Sequence, residues 1–524
     1  MKEFCTTGVC IPERHYMCDT SKKIAKIKTM VEKGHYFTIN KPRQYGKTTT
    51  LFLLERALYD EYVSLSLSFE GIGDDSFAAP QAFCESFMSL ARQSLAFTSV
   101  SEDTEYIDSW HDPSVINFAR LSEHISKMCK GRKLVLMIDE VDRISNNSIM
   151  LQFLGVLRNK FLSRQKGRDV TFHSVILAGV HDIKNLKWKL IKAGLYEMSG
   201  AEGSLYNSPW NIAVNFSVDM SFNADEIAYM LREYEEDCHT GMDVGSVSKS
   251  IYDYTGGYPY LVSRLCQIID SELSRDWSAQ GVISSVKKLL SESNTLFDDL
   301  SKNLENNTDL YKYIYDMLIV GKRQNYSLID PVVDWAVMYG YIKNVNGMAV
   351  ISNRIFEHQF TEYFVSKDDD AKGKRIYSTA YDAIRDGRFD MELCLRNFAR
   401  YYRELFSERD VDFIEEYGRL LFLVYLRPLI NGLGFYHIES QLTDLSRMDL
   451  AVDFGTDEFI IELKLWRGNA YHMRGYDQLK EYLMKRGQKK GYLVNYDIRK
   501  PSNRIPGEEW VDVGDGIRVF DVVL

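Results

Sequence analysis

The chain of 524 residues is long enough for two to four domains with sizeable hydrophobic cores. Its 45% hydrophobic and 26% charged residues are ordinary for a soluble globular protein, and no apolar run is long enough to span a bilayer. The net charge of −10 does not indicate a nucleic-acid binder, and the N-terminal residues lack the apolar core of a secretory signal. Eight scattered cysteines without a Cys-x-x-Cys pair predict a reduced, cytoplasmic setting. Because no apolar run is long enough to span a bilayer, no membrane is expected among the partners.

The first element with a chemical signature is a strand–loop–helix segment near the N-terminus. Residues 35–39 predict a short strand, and 48–59 predict a helix with leucines on one face. The loop between them ends in Gly-Lys-Thr, which places backbone N–H groups, a helix N-terminus and an ammonium against a phosphate chain. This is the pattern of a Walker A element, although Lys41 stands where the pattern has its first glycine. The predicted nucleotide-binding residues are Arg43, Gln44, Tyr45, Gly46, Lys47, Thr48 and Thr49, with the Thr48 hydroxyl on magnesium.

A second segment supports nucleotide binding. Residues 134–138 form an uninterrupted apolar run that ends in Asp139 and Glu140, as in a central parallel strand buried on both faces. Ligands bind beyond the carboxyl ends of such strands, so Asp139 is predicted to hold magnesium and Glu140 to orient or deprotonate the attacking water. Either segment alone could be an ordinary loop or a core strand, but together their order and spacing predict a site for ATP and Mg²⁺.

The predicted elements up to residue 295 describe an α/β domain with a helical extension. Strand-like runs alternate with helical stretches, which predicts a parallel sheet with helices on both faces; the runs are 35–39, 62–69, 134–139, 173–178 and 211–216. Helical patterns follow at 221–236, 244–254 and 260–273. The turn Gly256-Gly257-Tyr258-Pro259 places Arg264 one turn into the next helix, either as a cation for the nucleotide or at a plain helix corner.

The middle of the chain is predicted to form a winged-helix-like module. From 309 to 364 the pattern is three helices followed by two short strands around Asn344–Gly347. The segment is not rich in lysine and arginine, which favours a protein-contact role over DNA reading. Residues 366–374 are polar and charged without apolar periodicity, so they are predicted to be a linker.

The second chemical signature lies in two predicted strands near the C-terminus. Residues 446–454 and 458–465 are joined by a tight turn, and alternation places Glu462 and Lys464 on one face of the second strand. In a hairpin Asp449 can stand near Glu462, so two carboxylates and an ammonium converge. Such carboxylates bind Mg²⁺, which activates water and stabilises charge on a scissile phosphate, while the lysine positions the water or offsets the charge.

Neighbouring elements add polar side chains to this predicted site. They are Glu416 on an apolar helix at 411–430, with Glu415 as its alternative, Glu439 at the end of a strand at 435–439, and Gln478 on a helix at 476–483. A strand at 491–495 is predicted to complete the sheet. An isolated Glu-Leu-Lys would favour a surface strand with a salt bridge, whereas this order of elements favours a metal-dependent site.

Together these motifs resemble two known families. The segments Lys-Pro-Arg-Gln-Tyr-Gly-Lys-Thr, Leu-Met-Ile-Asp-Glu-Val-Asp and Gly-Gly-Tyr-Pro are similar to those of AAA-ATPase-like P-loop NTPases, within the archaeal-type and STAND-related group. The segments Arg447-Met-Asp449, Ile461-Glu462-Leu-Lys464 and Gln478-Leu resemble the PD-(D/E)XK nuclease superfamily.

The resemblance implies roles for individual residues. Lys47 and Thr48 would bind phosphate and magnesium, and Asp139 and Glu140 would form Walker B. The implied nuclease triad is Asp449, Glu462 and Lys464, with Glu416 and Gln478 as accessories. No sensor or arginine finger is assignable; the candidates for completing a neighbour's site in a homo-oligomer are Arg158, Arg164 and Arg168.

The predicted architecture is α/β throughout. It comprises a P-loop ATPase core (1–220) with a helical lid (221–295), a winged-helix-like module (296–365), a linker (366–374) and a restriction-endonuclease-like PD-(D/E)XK nuclease domain (375–524). The predicted function is ATP binding and hydrolysis that controls Mg²⁺-dependent cleavage of nucleic acid, with DNA as the favoured substrate. The alternative is an NTP-dependent regulatory switch whose nuclease fold binds nucleic acid or a partner without cleavage. A third interpretation is a transcriptional regulator that reads DNA through the winged-helix-like module.

Overall fold

The computed structural model describes residues 2–141, 148–180, 210–320, 322–372, 383–385, 388–405, 415–430, 434–437, 450–454, 457–466, 469–497 and 507–524. They form two compact units, Met1–His239 with Gly257–Gln267, and Thr240–Gly256 with Ile268–Leu524. The helices are α1 Ser21–Glu32, α2 Lys47–Leu58, α3 Pro80–Leu95, α4 Thr104–Asp108, α5 Phe118–Met128, α6 Ser148–Gln165, α7 Ala224–Cys238, α8 Val244–Thr255, α9 Pro259–Glu272, α10 Ala279–Leu290, α11 Thr295–Asn306, α12 Thr308–Tyr315, α13 Pro331–Met338, α14 Arg354–Lys372, α15 Met391–Leu405, α16 Glu415–Ile430 and α17 Asn469–Arg486. The strands are β1 Glu3–Phe4, β2 His15–Tyr16, β3 Tyr36–Asn40, β4 Val63–Ser68, β5 Leu134–Asp139, β6 Ser174–Gly179, β7 Gln324–Asn325, β8 Ile342–Val345, β9 Met348–Ile351, β10 Ile384–Arg385, β11 Arg388–Phe389, β12 Gly434–His437, β13 Leu450–Phe454, β14 Asp457–Leu465, β15 Lys490–Tyr496, β16 Gly507–Gly514 and β17 Ile517–Val523.

The first unit contains a parallel sheet of four strands in the order β3-β6-β5-β4. Strand β5 is buried along its whole length, and its side chains alternate between two hydrophobic cores. Leu136 and Ile138 enter one core, while Val135 and Met137 enter the other. The predicted parallel sheet with both faces covered is therefore confirmed.

One predicted strand of this sheet is nearly absent. The run 211–216 contributes a single parallel bridge between Val214 and Phe37. The chain reaches Val214 from a turn in which the Ala213 N–H donates to the Trp210 carbonyl, so little extended backbone remains to pair with β3. The other four predicted strands agree with β3 to β6 within about one residue at each end.

The helices that follow the sheet begin and end close to the predicted positions. Helix α7 begins at a capping box, in which Asn223 and Glu226 each accept a hydrogen bond from the other's backbone N–H, both at 2.9 Å. In the Gly-Gly-Tyr-Pro turn, Gly257 has φ +75°, and a Cβ there would lie 1.8 Å from the carbonyl oxygen of Phe222. Only glycine fits this position, because both the backbone angle and the contact exclude a side chain.

The second unit contains the elements that were predicted to form a winged-helix-like module. Helices α11, α12 and α13 precede the hairpin β8–β9, and β7 joins the hairpin in a three-stranded sheet ordered β7-β9-β8. The hairpin turn has Asn346 at φ +52° and Gly347 at φ +84°, a pair of left-handed residues typical of a tight turn.

The predicted linker is wrong over most of its length, because α14 continues to Lys372. Phe356, Phe360 and Phe364 are buried at helical spacing and anchor the preceding turns. Residues 366–372 are polar apart from one alanine, and no glycine or proline occurs among them before Gly373. The helix therefore continues past its buried phenylalanines.

The second unit also contains a mixed sheet of six strands in the order β12-β13-β14-β15-β17-β16. Strands β14, β15 and β17 run parallel, whereas β13 is antiparallel to both of its neighbours, β12 and β14, and β16 is antiparallel to β17. The prediction that 491–495 would be the last strand is wrong. A further hairpin follows, turning through Gly514, Asp515 and Gly516, all with positive φ.

Candidate functional site

The loop between β3 and α2 has the backbone of a phosphate-binding turn. Gly46 caps α2 with φ +76°, and Gln44 also has a positive φ of +55°. The chain thereby turns from a buried strand into a helix whose first residue is Lys47. The positive end of the helix dipole and the orphan N–H groups of this first turn favour an anion at the loop.

The predicted phosphate and magnesium residues converge at the ends of two strands. Thr48 Oγ1 donates a hydrogen bond to Asp139 Oδ2 at 2.6 Å, which joins the start of α2 to the end of β5. Glu140 follows with φ +52°, and its N–H donates to Asp139 Oδ1 at 2.9 Å. A hydroxyl and a carboxylate at this distance are both hard oxygen ligands of the kind that Mg²⁺ prefers.

The ammonium of Lys47 lies inside the loop. Its side chain is buried, and Nζ donates to the carbonyl oxygens of Lys41 at 3.1 Å and Pro42 at 2.9 Å. Lys41, which replaces the first glycine of the Walker A pattern, has its Nζ 5.9 Å from the centre of the Tyr45 ring. Burial lowers the pKa of Lys41. The departure from the pattern therefore adds a second cation to the loop.

The Gly-Gly-Tyr-Pro turn packs directly on the phosphate-binding loop. The Tyr258 hydroxyl donates to the Arg43 carbonyl at 2.6 Å, and its ring meets the Tyr45 ring edge-on at 4.8 Å. Arg264 donates to Gln267, one turn along α9, at 2.7 Å. The turn therefore contacts the loop through its tyrosine, and the choice between Arg264 as a cation for the nucleotide and a plain helix corner stays a prediction.

A cavity of about 360 Å³ adjoins the loop, a volume within the range of small-molecule sites. It is more apolar than polar and lies between α2, the N-terminal segment and α9. The residues that line it include Cys5, Cys10, Met17, Cys18, Gln44, Gly46, Thr49, Leu53, Phe222, Met230 and Tyr260. Cys10 N–H donates to Thr49 Oγ1 at 3.1 Å and so holds the N-terminal segment on the first turn of α2.

The arginines proposed as trans-acting fingers have different surroundings. Arg164 donates to the carbonyl oxygens of Phe172, His173 and Gly34 at 2.6 to 2.9 Å, so its guanidinium serves the fold of its own unit. Arg158 donates to Asn211 at 3.0 Å. The structure therefore gives no support to Arg164 as a finger.

In the second unit, Glu462 and Lys464 lie on one face of β14, as predicted. Lys464 Nζ is 2.6 Å from Glu462 Oε1, and the glutamate is 1% exposed. Across the parallel ladder Glu462 pairs with Leu493, and Lys464 pairs with Asn495. Ion pairs this deeply buried are costly unless further polar groups surround them.

Further polar groups lie on the same face, and sequence reasoning missed them. Asp521 of β17 accepts hydrogen bonds from Asn495 Nδ2 at 2.8 Å and from the Tyr476 hydroxyl at 2.6 Å. His472 Nε2 lies 2.8 Å from Asp521 Oδ2. The signal was present, because Asn495 and Asp521 interrupt apolar strands, and His472 and Tyr476 are four residues apart on one helix face.

The remaining predicted nuclease residues are not all within the described part of the chain. Asp449 and Glu439 lie outside the described residues. Glu416 lies in α16, but its side chain is outside the description. Gln478 lies in α17, half-buried and two residues after Tyr476.

Residues 11–362, more than half of the 524-residue chain, match the family of AAA-like domains. The chain belongs to the AAA-like domain family. The matched region contains the Walker A loop, Asp139, the Gly-Gly-Tyr-Pro turn and the hairpin β8–β9. The predicted P-loop ATPase domain is thereby supported, while the predicted nuclease domain at 375–524 lies outside the AAA-like match. No curated protein matches the chain.

Solved structures give weak similarity over about two thirds of the chain. A Walker-type ATPase of Pyrococcus abyssi is 11% identical with a TM-score of 0.46, covering 68% of this chain and 99% of its own. The ORC1 protein of Aeropyrum pernix in complex with DNA is 12% identical with a TM-score of 0.30, covering 67% and 94%. The ORC2 protein of Aeropyrum pernix in ADPNP–ADP complexes is 11% identical with a TM-score of 0.33, covering 70% and 98%. Because all three TM-scores are below 0.5, membership of the AAA-like family rests on the match to residues 11–362.

Two features are absent from the described ranges. None of the helices within those ranges is both long enough and apolar enough to cross a membrane. Nor do three His, Cys, Asp or Glu side chains there converge into a metal-binding group.

Proposed function

We propose that this AAA-like protein binds and hydrolyses ATP in its first unit and that this nucleotide cycle controls a metal-dependent nuclease in its C-terminal region. The substrate is a nucleic-acid phosphodiester, with DNA favoured. The observation that carries the ATPase half is the 2.6 Å contact between Thr48 and Asp139 at the mouth of the Walker A loop. The observation that carries the nuclease half is the buried Glu462–Lys464 pair on a strand of a mixed sheet.

In this proposal the loop binds the phosphates of the nucleotide, and the adjoining cavity binds its base and ribose. The phosphates would lie at the α2 N-terminus, where Lys47 exchanges its two carbonyl contacts for phosphate oxygens. The base and ribose would enter the 360 Å³ cavity beside Gly46 and Thr49. Thr48 and Asp139 would hold Mg²⁺, and Glu140 would orient the attacking water.

For the nuclease, Glu462 would share a metal ion with Asp449, and Lys464 would face the scissile phosphate. Bound Mg²⁺ lowers the pKa of its water and stabilises negative charge on the phosphate. Carboxylate oxygens fit that ion, and Glu462 is fixed by burial and by its contact with Lys464. The lysine is then placed to offset charge that develops on the phosphate.

The test is cleavage of plasmid, linear and single-stranded DNA and of RNA by the full chain, with Mg²⁺ or Mn²⁺ and with or without ATP. Glu462→Gln should abolish cutting, and Lys47→Ala should abolish ATP binding together with any effect of ATP on cutting. Matched controls are Asp457→Asn, an exposed carboxylate at the start of the same strand, and Lys26→Ala, an exposed lysine on α1. Unchanged ATP affinity in Lys47→Ala would show that the nucleotide site is elsewhere.

A regulatory switch that binds nucleic acid or a partner without cutting is the second candidate. The net charge of −10 favours its partner-binding form, because an acidic protein repels a polyanion unless a local basic surface or a metal intervenes. Confirmed ATP binding together with no cleavage by the wild-type protein under any metal would decide for this candidate.

A further inference from the structure

The polar face of the C-terminal sheet extends beyond the predicted triad. Strands β14, β15 and β17 are parallel neighbours, and their register places Glu462, Leu493 and Asp521 in one row. Paired residues in a ladder point to the same side of a sheet, so Glu462 and Asp521 share a face. Lys464 and Asn495 pair two residues farther along, on that same face.

Helix α17 covers this face and brings His472 to it. A Cβ on Gly475 would lie 3.5 Å from Leu493 and 4.0 Å from the Lys464 side chain, so the helix backbone is close to the sheet there. His472 lies one turn before Gly475 on the same side of the helix. Lys464 of β14 and His472 of α17 therefore both lie where the helix packs on the sheet.

Asp521 lies in contact with the imidazole of His472. Its Oδ2 lies 2.8 Å from His472 Nε2 and accepts the Tyr476 hydroxyl, while its Oδ1 accepts from Asn495. The ring also packs against Trp466 and Tyr476 at centroid distances of 4.7 and 4.9 Å. The Nε2 atom is buried, and its 2.8 Å approach to Asp521 is an ion-pair contact without hydrogen-bond geometry among the described residues. The 14% of the side chain that is exposed therefore belongs to other atoms of His472.

We propose that His472 is a substrate-binding residue of the nuclease-like face, with Nε2 beside Asp521 and Nδ1 donating to a phosphate oxygen of the bound nucleic acid. Asp521 and Asn495 are positioning residues, because they act through the imidazole. The proposal rests on the proposed nuclease function for its substrate class, a nucleic-acid backbone phosphate. With a carboxylate beside Nε2, the ring donates from Nδ1 as the imidazolium, a form that the negative charge of a phosphate favours. Hydrogen bonds between charged groups are the stronger ones.

Two amide variants separate substrate binding from a structural role. The amide nitrogen of Asn is bonded to Cγ, as Nδ1 of His is. His472→Asn therefore keeps a donor at the phosphate-facing position and loses the contact with Asp521. The Gln amide corresponds to Nε2, so His472→Gln keeps the contact with Asp521 and loses the donor to phosphate. Affinity is measured on the full chain with short labelled DNA and RNA oligonucleotides in Ca²⁺, which supports binding without cutting. Melting temperatures are recorded for both variants.

We expect His472→Gln to weaken binding about tenfold with an unchanged melting temperature, as for the loss of one hydrogen bond to a charged group. His472→Asn should bind within about threefold of wild type, despite a lower melting temperature. Equal binding by the two variants, or weaker binding by His472→Asn, would overturn the proposal. The oligonucleotide that shows the difference identifies DNA or RNA as the ligand.

Cleavage assays on the same proteins distinguish this proposal from the proposed nuclease function. If wild type cuts and both variants bind like wild type, the nuclease function holds and the role of His472 is wrong. If wild type never cuts but the variants differ in binding as expected, His472 contacts nucleic acid in a non-cleaving protein. If wild type binds no oligonucleotide, the proposal is overturned.

Discussion

Glu357 of α14 allows a sharp test of the electrostatics of the second unit. Its side chain is buried, and Oε1 has no hydrogen-bond partner among the residues that the structure describes. Burial raises the pKa of this carboxyl from 4.5 to about 8, although Arg354 and Lys343 act in the opposite direction. The folded protein therefore holds a proton on Glu357 at neutral pH that the unfolded chain releases.

The magnitude follows from the two pKa values. Because the pKa is raised on folding, the stabilisation by this group is complete below pH 4.5 and is lost as the pH rises toward 8. At about 1.4 kcal/mol per pKa unit, the wild type should lose about 3.5 kcal/mol of unfolding free energy between pH 5 and pH 8 through this residue. Glu357→Gln imitates the protonated form and should not show this loss.

The assay is urea unfolding of the full chain at pH 5 and pH 8, with hydrogen exchange of the peptide that contains α14 as a local probe. Glu357→Gln should unfold close to wild type at pH 5 and be about 3 kcal/mol more stable at pH 8. Glu305→Gln is the matched control, because Glu305 is half-exposed and contacts Lys367 and the Tyr363 hydroxyl at the surface, so its effect should be small at both pH values. Parallel pH profiles for Glu357→Gln and wild type would refute the assignment of a protonated buried carboxyl.

Two further predictions concern an ion pair and a turn. Arg354→Gln removes a cation that lies 3.2 Å from the buried Asp453 carboxylate. The substitution should lower the free energy of unfolding by about 3 kcal/mol at pH 8, measured by urea unfolding. The cost should shrink at pH 5, because burial raises the pKa of Asp453 to about 6 and the carboxyl then takes up a proton; an equal cost at both pH values would contradict this account. Gly257→Ala should lower the melting temperature of the first unit and weaken ATP binding, because its Cβ would meet the Phe222 carbonyl at 1.8 Å. Gly131→Ala is its control, since Gly131 also has a left-handed φ of +78° but no neighbour within 4 Å; similar effects in the two variants would show that the contact is unimportant.

The placement of the Walker A loop beside Asp139 could be predicted because its signals are local in the sequence. A strand end, a glycine and a helix start fix the backbone around Lys47, and a buried strand that ends in a carboxylate fixes Asp139. The pairing of Thr48 with Asp139 follows once both strands are parallel. The contact between Tyr258 and the Arg43 carbonyl could not be predicted, because it joins residues 215 positions apart.

The C-terminal sheet was predicted less completely for the same reason. The Glu-Leu-Lys pattern identified β14 and the face that carries Glu462 and Lys464, but no local pattern specified which strand lies beside it. The positions of Asn495 and Asp521 depend on register with β15 and β17, and β17 was not expected. The polar interruption of an apolar strand by Asp521 was the available signal, and it gains meaning only once its neighbours are known.

Register also makes the polar face of the C-terminal sheet a specific arrangement. A shift of β15 by one residue would turn Asn495 to the opposite side of the sheet and leave Asp521 without one of its donors. A buried carboxylate that loses a donor is costly, so the hydrogen bonds around Asp521 select the register that also places Lys464 beside Asn495. The same contacts therefore specify the fold of the sheet and assemble its candidate site. A variant such as His472→Gln, which keeps the contact with Asp521, can consequently separate the two roles.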